Sequence, residues 1–241
     1  MLDEQIHIAT STVADGNMSF RFGDEKSVVA NRERFLEKHG IGFENHICMK
    51  CNHGMHLAAV NRDSRGVGAK TQEDMIEAEV LATNEKGLVL MLLTADCIPA
   101  TFYDPEHEAI TLAHLNRHTI AHSLAQKTVR FLRETYGTDP TKLLVHFGPH
   151  IKKESYRYPL PLPDPTPPQL APFVHEENGA AVIDMTAAHK AELLNEGVPE
   201  QNIEISPINT ATSPDHFSYY RSKHDSVYPD GRLVTIAMLR K

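Results

Sequence analysis

At 241 residues the chain can bury a sizeable core, and its balance of 41% hydrophobic and 23% charged residues is that of an ordinary globular protein, which excludes disordered and fibrous classes. The formal charge of −8 comes from dispersed Asp and Glu, so a nucleic-acid polymer, which needs clustered cations, is not an expected partner. No apolar run approaches the roughly 20 residues of a membrane span. The opening Met1-Leu2-Asp3-Glu4 lacks the basic and then apolar regions of a secretory leader, so a cytoplasmic protein with no membrane partner is expected.

In chain order, a first strand is expected around Ile6–Ala9. From Lys26 to His39, Val28, Val29, Phe35 and Leu36 recur at helical spacing up to a glycine stop at Gly40. His46–Met49 is strand-like and leads to Cys51-Asn52-His53-Gly54, where the glycine implies a turn. The most regular stretch follows, with Leu88–Leu93, Pro99–Tyr103 and Ala109–His114 as buried strands. Ile120, Leu124, Thr128, Phe131 and Leu132 predict one helix ending at Gly137, and Leu143–Phe147 is again strand-like up to Gly148-Pro149.

Seven prolines between Pro159 and Pro172 cannot join a central strand or helix, and 159–172 is expected to be a surface loop. Ala181–Ile183 is a predicted strand, Asp184 an N-cap, and Ala187–Leu194 a helix ended by Gly197. Ile203–Ser206 and Leu233–Leu239 complete the set. Clustered strands with about three long helices argue for one α+β domain over residues 1–241 with mixed β-sheets, not strict βαβ winding, and there is no internal repeat.

Three features have metal-ligand character. His118 and His122 share a helix face, but without a nearby acid or third ligand they fit a solvated face better. Cys48-x-x-Cys51 has knuckle or redox spacing, yet it lies in a strand pattern and lacks a second ligand pair, so Cys48 is expected to be core packing. His53, Cys97 and His114 each end a strand-like run, where loops leave a sheet and side chains can converge. Three ligands plus water is the arrangement of a catalytic zinc site. By spacing alone a buried thiol and two unrelated histidines fit better.

A longer pattern surrounds that trio. Leu93-Thr94-Ala95-Asp96-Cys97-Ile98-Pro99, then Phe102-Tyr103-Asp104-Pro105 and Ala113-His114, are preceded by Gly23-Asp24, Asn31-Arg32 and His53-Gly54. They are followed by Gly148-Pro149, Asp184, Gly197, Phe217-Ser218-Tyr219, Arg221 and Gly231-Arg232. In this order the set resembles the laccase-domain (YfiH-type) family over most of the chain. The resemblance implies a layered α/β/β/α fold and Zn2+ held by His53, Cys97 and His114. It also implies purine nucleosides and phosphate as partners, with phosphorolysis of adenosine, inosine, guanosine and methylthioadenosine and deamination of adenosine. Asp96 is then a candidate proton carrier or substrate-positioning acid. Arg221 and Arg62 are the candidate phosphate-holding cations.

The chain departs from the family pattern at specific places. The family's His-Ala-Gly-Trp-Arg-Gly run is His114-Leu115-Asn116-Arg117-His118-Thr119, the glutamine two residues before the first histidine is Cys51, and the first of two late arginines is Tyr220. These changes leave open a non-catalytic zinc protein that binds a nucleoside or another partner. Copper-dependent phenol oxidation is disfavoured, because multicopper sites need clustered histidines and the sequence has no His-x-His pair.

Overall fold

The computed structural model describes residues 4–160, 162 and 166–241. Its strands are β1 (Ile6–Thr10), β2 (His46–Lys50), β3 (Leu57–Ala59), β4 (Ile76–Glu77), β5 (Val80–Thr83), β6 (Val89–Thr94), β7 (Ile98–Asp104), β8 (Ala109–Leu115), β9 (Leu144–Phe147), β10 (Arg157–Pro159), β11 (Val174–Glu177), β12 (Ala180–Ile183), β13 (Ile203–Ile205) and β14 (Leu233–Leu239). Its helices are α1 (Glu25–Lys38), α2 (Arg117–Ile120), α3 (Leu124–Tyr136), α4 (Met185–Asn195) and α5 (Tyr219–His224).

Two large sheets are stacked, one in the order β1-β14-β6-β2-β4 and one in the order β13-β9-β7-β8-β5-β3, with a small sheet β10-β12-β11. Both large sheets are mixed: β14 is antiparallel to β1 and β6 while β2 runs parallel to β6, and β7 is antiparallel to β8 and β9 while β13 runs parallel to β9.

The central strands are covered on both faces, so they appear as continuous apolar runs whose alternate residues feed different layers. In β6, Leu90 and Leu92 face the inter-sheet core with Ile47, Leu81, Ile110 and Leu112, whereas Val89 and Met91 pack outward with Phe35 and Leu36 of α1. In β7 and β8, Ala100, Phe102 and Ala113 pack outward with Leu124, Val129 and Leu132 of α3 and Ala188 and Leu193 of α4. The order of layers is therefore α1, sheet, sheet, α3 with α4. This is the α+β, α/β/β/α arrangement expected from the sequence.

Local chemistry sets the helix limits. Asp24 and Asp184 accept hydrogen bonds from the amides of Ser27 and Ala187 at the starts of α1 and α4. Gly137, at φ +80°, closes α3 by donating to the carbonyl of Arg133.

Where one helix was expected from Ile120 to Leu132 there are two, because Ser123 adopts φ +52° between α2 and α3. The short strands β3, β5 and β11 were not expected from local sequence. Of the expected proline loop at 159–172, residues 161 and 163–165 lie outside the described residues. Pro159 ends β10, an edge strand where a missing N–H does no harm, and Leu170 is buried in the outer core with α4. Among the described residues no helix is long and apolar enough to cross a membrane.

Candidate metal centre

The parallel neighbours β2 and β6 are in register, with Cys48 opposite Met91, so the loops that leave their C-terminal ends emerge side by side. One loop carries Cys51-Asn52-His53-Gly54 and the other Asp96-Cys97. The second sheet contributes His114 near the end of β8, opposite Pro99 of β7, and Glu79 just before β5. The site thus sits at one end of the sandwich where the two sheets meet. Two of its residues hold backbone conformations that side chains rarely adopt, His53 at φ +63° and Asp96 at φ +84°.

Glu79 organises the floor. It is fully buried, its Oε1 accepts from the amides of Asn52 (2.7 Å) and Gly54 (3.2 Å), and its Oε2 accepts from His114 Nδ1 (2.7 Å). One carboxylate therefore fixes both the cysteine-histidine loop and the ring of His114. Burial works to raise the Glu79 carboxyl, but the His114 bond and the amides outweigh it and hold it below the usual carboxylate range. With Nδ1 engaged by Glu79, Nε2 of His114 is the nitrogen left to coordinate a metal.

Of the expected trio, His114 belongs to a buried cluster with Cys51 and Glu79 whose ligand-type atoms lie within 4.8 Å of one another, and His53 and Cys97 stand beside it. The rings of His53 and His114 stack with centroids 5.9 Å apart, and Cys97 is a neighbour of His114. Burial alone would lower His114, yet the adjacent Cys51 and Cys97 sulfurs hold it well above an ordinary histidine. His53, on the solvent side, is lowered by partial burial and by His114 and His118.

Sequence reasoning missed three participants. Cys51 separates from its supposed partner: Cys48 is core against α1, its thiol pushed up to about 11 by burial, whereas Cys51 Sγ, a Glu79 oxygen and a His114 nitrogen all lie within 4.8 Å of one another. Burial also pushes the Cys51 thiol up, with His114 pulling against it. His118, expected on a solvated face with His122, stacks on His53 at 4.9 Å and 16°. The available signal for Glu79 was an acid embedded in the apolar run Ala78-Glu79-Val80-Leu81-Ala82. For Cys51 no local pattern pointed inward, and His118 stays exposed while stacking on His53.

Beside the centre stands an aromatic wall. Tyr156, Tyr158 and Tyr220 meet edge-on at 5.4–6.3 Å, and Arg117 lies 5.2 Å over the Tyr158 ring.

The remaining sequence candidates take different places. Asp96 is buried with both oxygens engaged, Oδ1 by the Thr210 hydroxyl (2.6 Å) and Oδ2 by the Ser218 hydroxyl (3.0 Å) and the Tyr220 amide (2.6 Å). Burial raises its carboxyl above the usual range. Arg221 rests 4.1 Å over Tyr228. Arg62 is ion-paired with Glu85 in a cleft shared with Asn45, Arg65, Lys86, Leu88 and Lys241, at the N-terminal ends of β2 and β6, the opposite end of the sheet from the centre.

Comparison with known proteins adds to this geometry. The model of the family described as multi-copper polyphenol oxidoreductase laccase matches residues 4–240. The purine nucleoside phosphorylase YlmD of Geobacillus stearothermophilus is 29% identical over 212 residues, 85% of this chain and 77% of that protein. The crystal structure of YlmD from the same organism superposes with a TM-score of 0.87 at 26% identity, covering 99% of this chain and 93% of that one. The crystal structure of the hypothetical protein YfiH of Bacillus licheniformis gives 0.85 at 21% identity over 98% and 93% of the two chains, a likeness of fold.

Proposed function

Because the chain belongs to the multi-copper polyphenol oxidoreductase laccase family and resembles proteins named purine nucleoside phosphorylases, we propose that it is an enzyme that cleaves purine nucleosides with inorganic phosphate. Its metal on this reading is zinc, held by His53, Cys97 and His114. The observation that carries the proposal is the convergence of imidazoles and thiols on the buried Glu79–His114 pair. That donor set fits zinc, which takes neutral imidazole and thiolate ligands. A multicopper cluster would need histidines in numbers and spacings this chain lacks.

Zinc bound there supplies Lewis acidity. The chain's own residues do the rest. Glu79 fixes the His114 tautomer and ring orientation. The Tyr156–Tyr158–Tyr220 wall offers flat apolar surface on which a purine stacks. Arg221 and Arg117 supply planar, always-charged donors for phosphate. Asp96 acts as a positioning residue, holding the Ser218–Tyr220 segment against the loop that carries Cys97. Adenosine deamination at the same centre is the second activity of this reading. A thiol-containing metal site suits a reducing compartment, and the cytoplasm is where we place it.

The test is incubation of adenosine, inosine, guanosine and methylthioadenosine with and without phosphate, alongside metal analysis of the purified protein. One zinc per chain and phosphate-dependent release of free base are expected, with inosine formed from adenosine in phosphate-free buffer. Stoichiometric zinc with neither reaction would mark a non-catalytic zinc protein, and absence of zinc would overturn the metal assignment.

A further inference from the structure

The assigned trio leaves out a sulfur that the fold places against His114. Cys51 follows directly on β2 and Cys97 comes from the loop after β6, so two adjacent parallel strands each send one cysteine out of the same end of the sheet. Cys51 Sγ lies within 4.8 Å of a His114 nitrogen and a Glu79 oxygen. Cys51 and Cys97 are free thiols, so neither is committed to a disulfide.

The backbone around Cys51 is held for the same geometry. Glu79 Oε1 binds the amides of Asn52 and Gly54, and its other oxygen binds His114, so one buried side chain sets the spacing between the Cys51 loop and the His114 ring. Cys48 shows what an uninvolved cysteine looks like in this fold, since it points to the opposite face of β2 and is fully buried among Phe35, Met91 and Val234.

Resting on the zinc reading above, we propose that Cys51 is a fourth protein ligand, so that the metal is held by Cys51, His53, Cys97 and His114 in a four-coordinate site. Two thiolates and two imidazoles complete a tetrahedral shell, the pattern of closed sites, whereas three ligands leave a position for water or substrate. Substrate access to the metal then requires one protein ligand to leave. The two sulfurs also favour soft ions over hard ones.

The experiment counts sulfur ligands. The wild-type protein and its Cys48→Ala, Cys51→Ala and Cys97→Ala variants are loaded with cobalt(II), and the thiolate-to-metal charge-transfer absorbance is recorded per bound ion. The inference expects half the wild-type intensity from Cys51→Ala and from Cys97→Ala, and full intensity from Cys48→Ala. X-ray absorption at the zinc edge of the wild-type protein needs no variant and should show two sulfur and two nitrogen neighbours. One sulfur neighbour, with full intensity in Cys51→Ala and none in Cys97→Ala, would overturn the fourth ligand and leave the three-residue centre standing. A wild-type protein that binds neither ion would overturn both.

Discussion

Glu79 carries more of the candidate site than any residue named from the sequence, and its weight follows from what each oxygen does. A carboxylate that accepts from a ligating histidine fixes the ring and raises its basicity, and loss of such partners costs about 10- to 100-fold in metal affinity. Glu79→Gln keeps the size but loses the charge, and its amide nitrogen cannot accept what an oxygen accepted. We expect zinc affinity, measured by competition with a chromophoric chelator, to fall within that range. An unchanged affinity would show that Glu79 braces the loop without tuning the ligand.

Two histidines away from the centre make a prediction about acid. His46 and His150 are buried, and burial lowers them to about 4 and about 3 from 6.5. The His150 Nδ1 donates to the Gly148 carbonyl and its Nε2 accepts from the Lys152 ammonium, so a second proton would meet a cation. Their folded values lie below the unfolded ones, so the unfolded chain binds protons first as pH falls below about 6.5. Stability should drop progressively from there toward pH 4, by at most about 1.4 kcal/mol per histidine for each pH unit of descent. Urea midpoints at pH 7 and pH 5 test the sign, and equal midpoints would refute it.

At the scale of elements, Asp96 ties the β6–β7 turn to the segment that ends in α5 through three donors. Hydrogen bonds to a charged group contribute about 1.5–3 kcal/mol each. Asp96→Asn must misplace at least one of them, so we expect a destabilisation of that order and faster hydrogen exchange at the Tyr220 amide. If Asp96 were a proton carrier instead, the variant would keep its protection at Tyr220 and change its pH–rate profile.

The same elements show what the sequence made legible. The long runs of β6, β7, β8 and β14 and the capped helices α1 and α4 were visible because both faces of the strands are buried and the caps are local. The short strands β3, β5 and β11 were not, because pairing with distant neighbours defines them: β5 exists through its bonds to β8 and β3. In the centre, His114 was legible as a strand-end ligand type and belongs to the buried cluster with Cys51 and Glu79, while His53 and Cys97, named with it on the family pattern, stand beside that cluster. Cys51 was grouped with Cys48 because spacing cannot show that two residues of one strand and its exit face different layers. His118 was paired with His122, but the chain leaves α2 after Ile120 and turns away.

For the whole molecule, sheet order sets how it must fold. One large sheet joins β1 and β14, near the two ends of the described chain, to β6 and β2 from its middle. No contiguous piece can complete that sheet alone, and we propose that the chain is a single cooperative domain, slow to fold because so many contacts are distant in sequence. Far-ultraviolet circular dichroism and tyrosine fluorescence should give coincident urea transitions. Removing residues 233–241 should abolish the transition altogether, since β14 lies between β1 and β6. Separate transitions for the two probes would show independent units.

The pairing of β1 with β14 brings Gln5 and Arg240 into direct contact, the Arg240 amide donating to the Gln5 carbonyl at 2.7 Å. In β6 the end nearer the candidate centre is Thr94, opposite Leu233, while the end beside Arg240 is Val89, opposite Met238. At about 3.3 Å per residue, some 15–20 Å of strand separates the two ends of the sheet. From Gln5 to Arg240 the backbone is thus nearly a ring with its seam turned away from the centre. A few flexible residues would close that seam, and a circularly permuted protein opened in an exposed turn such as Asn178-Gly179 should keep its metal. A fusion or a surface attachment made at the seam would likewise leave the opposite end of the sheet untouched.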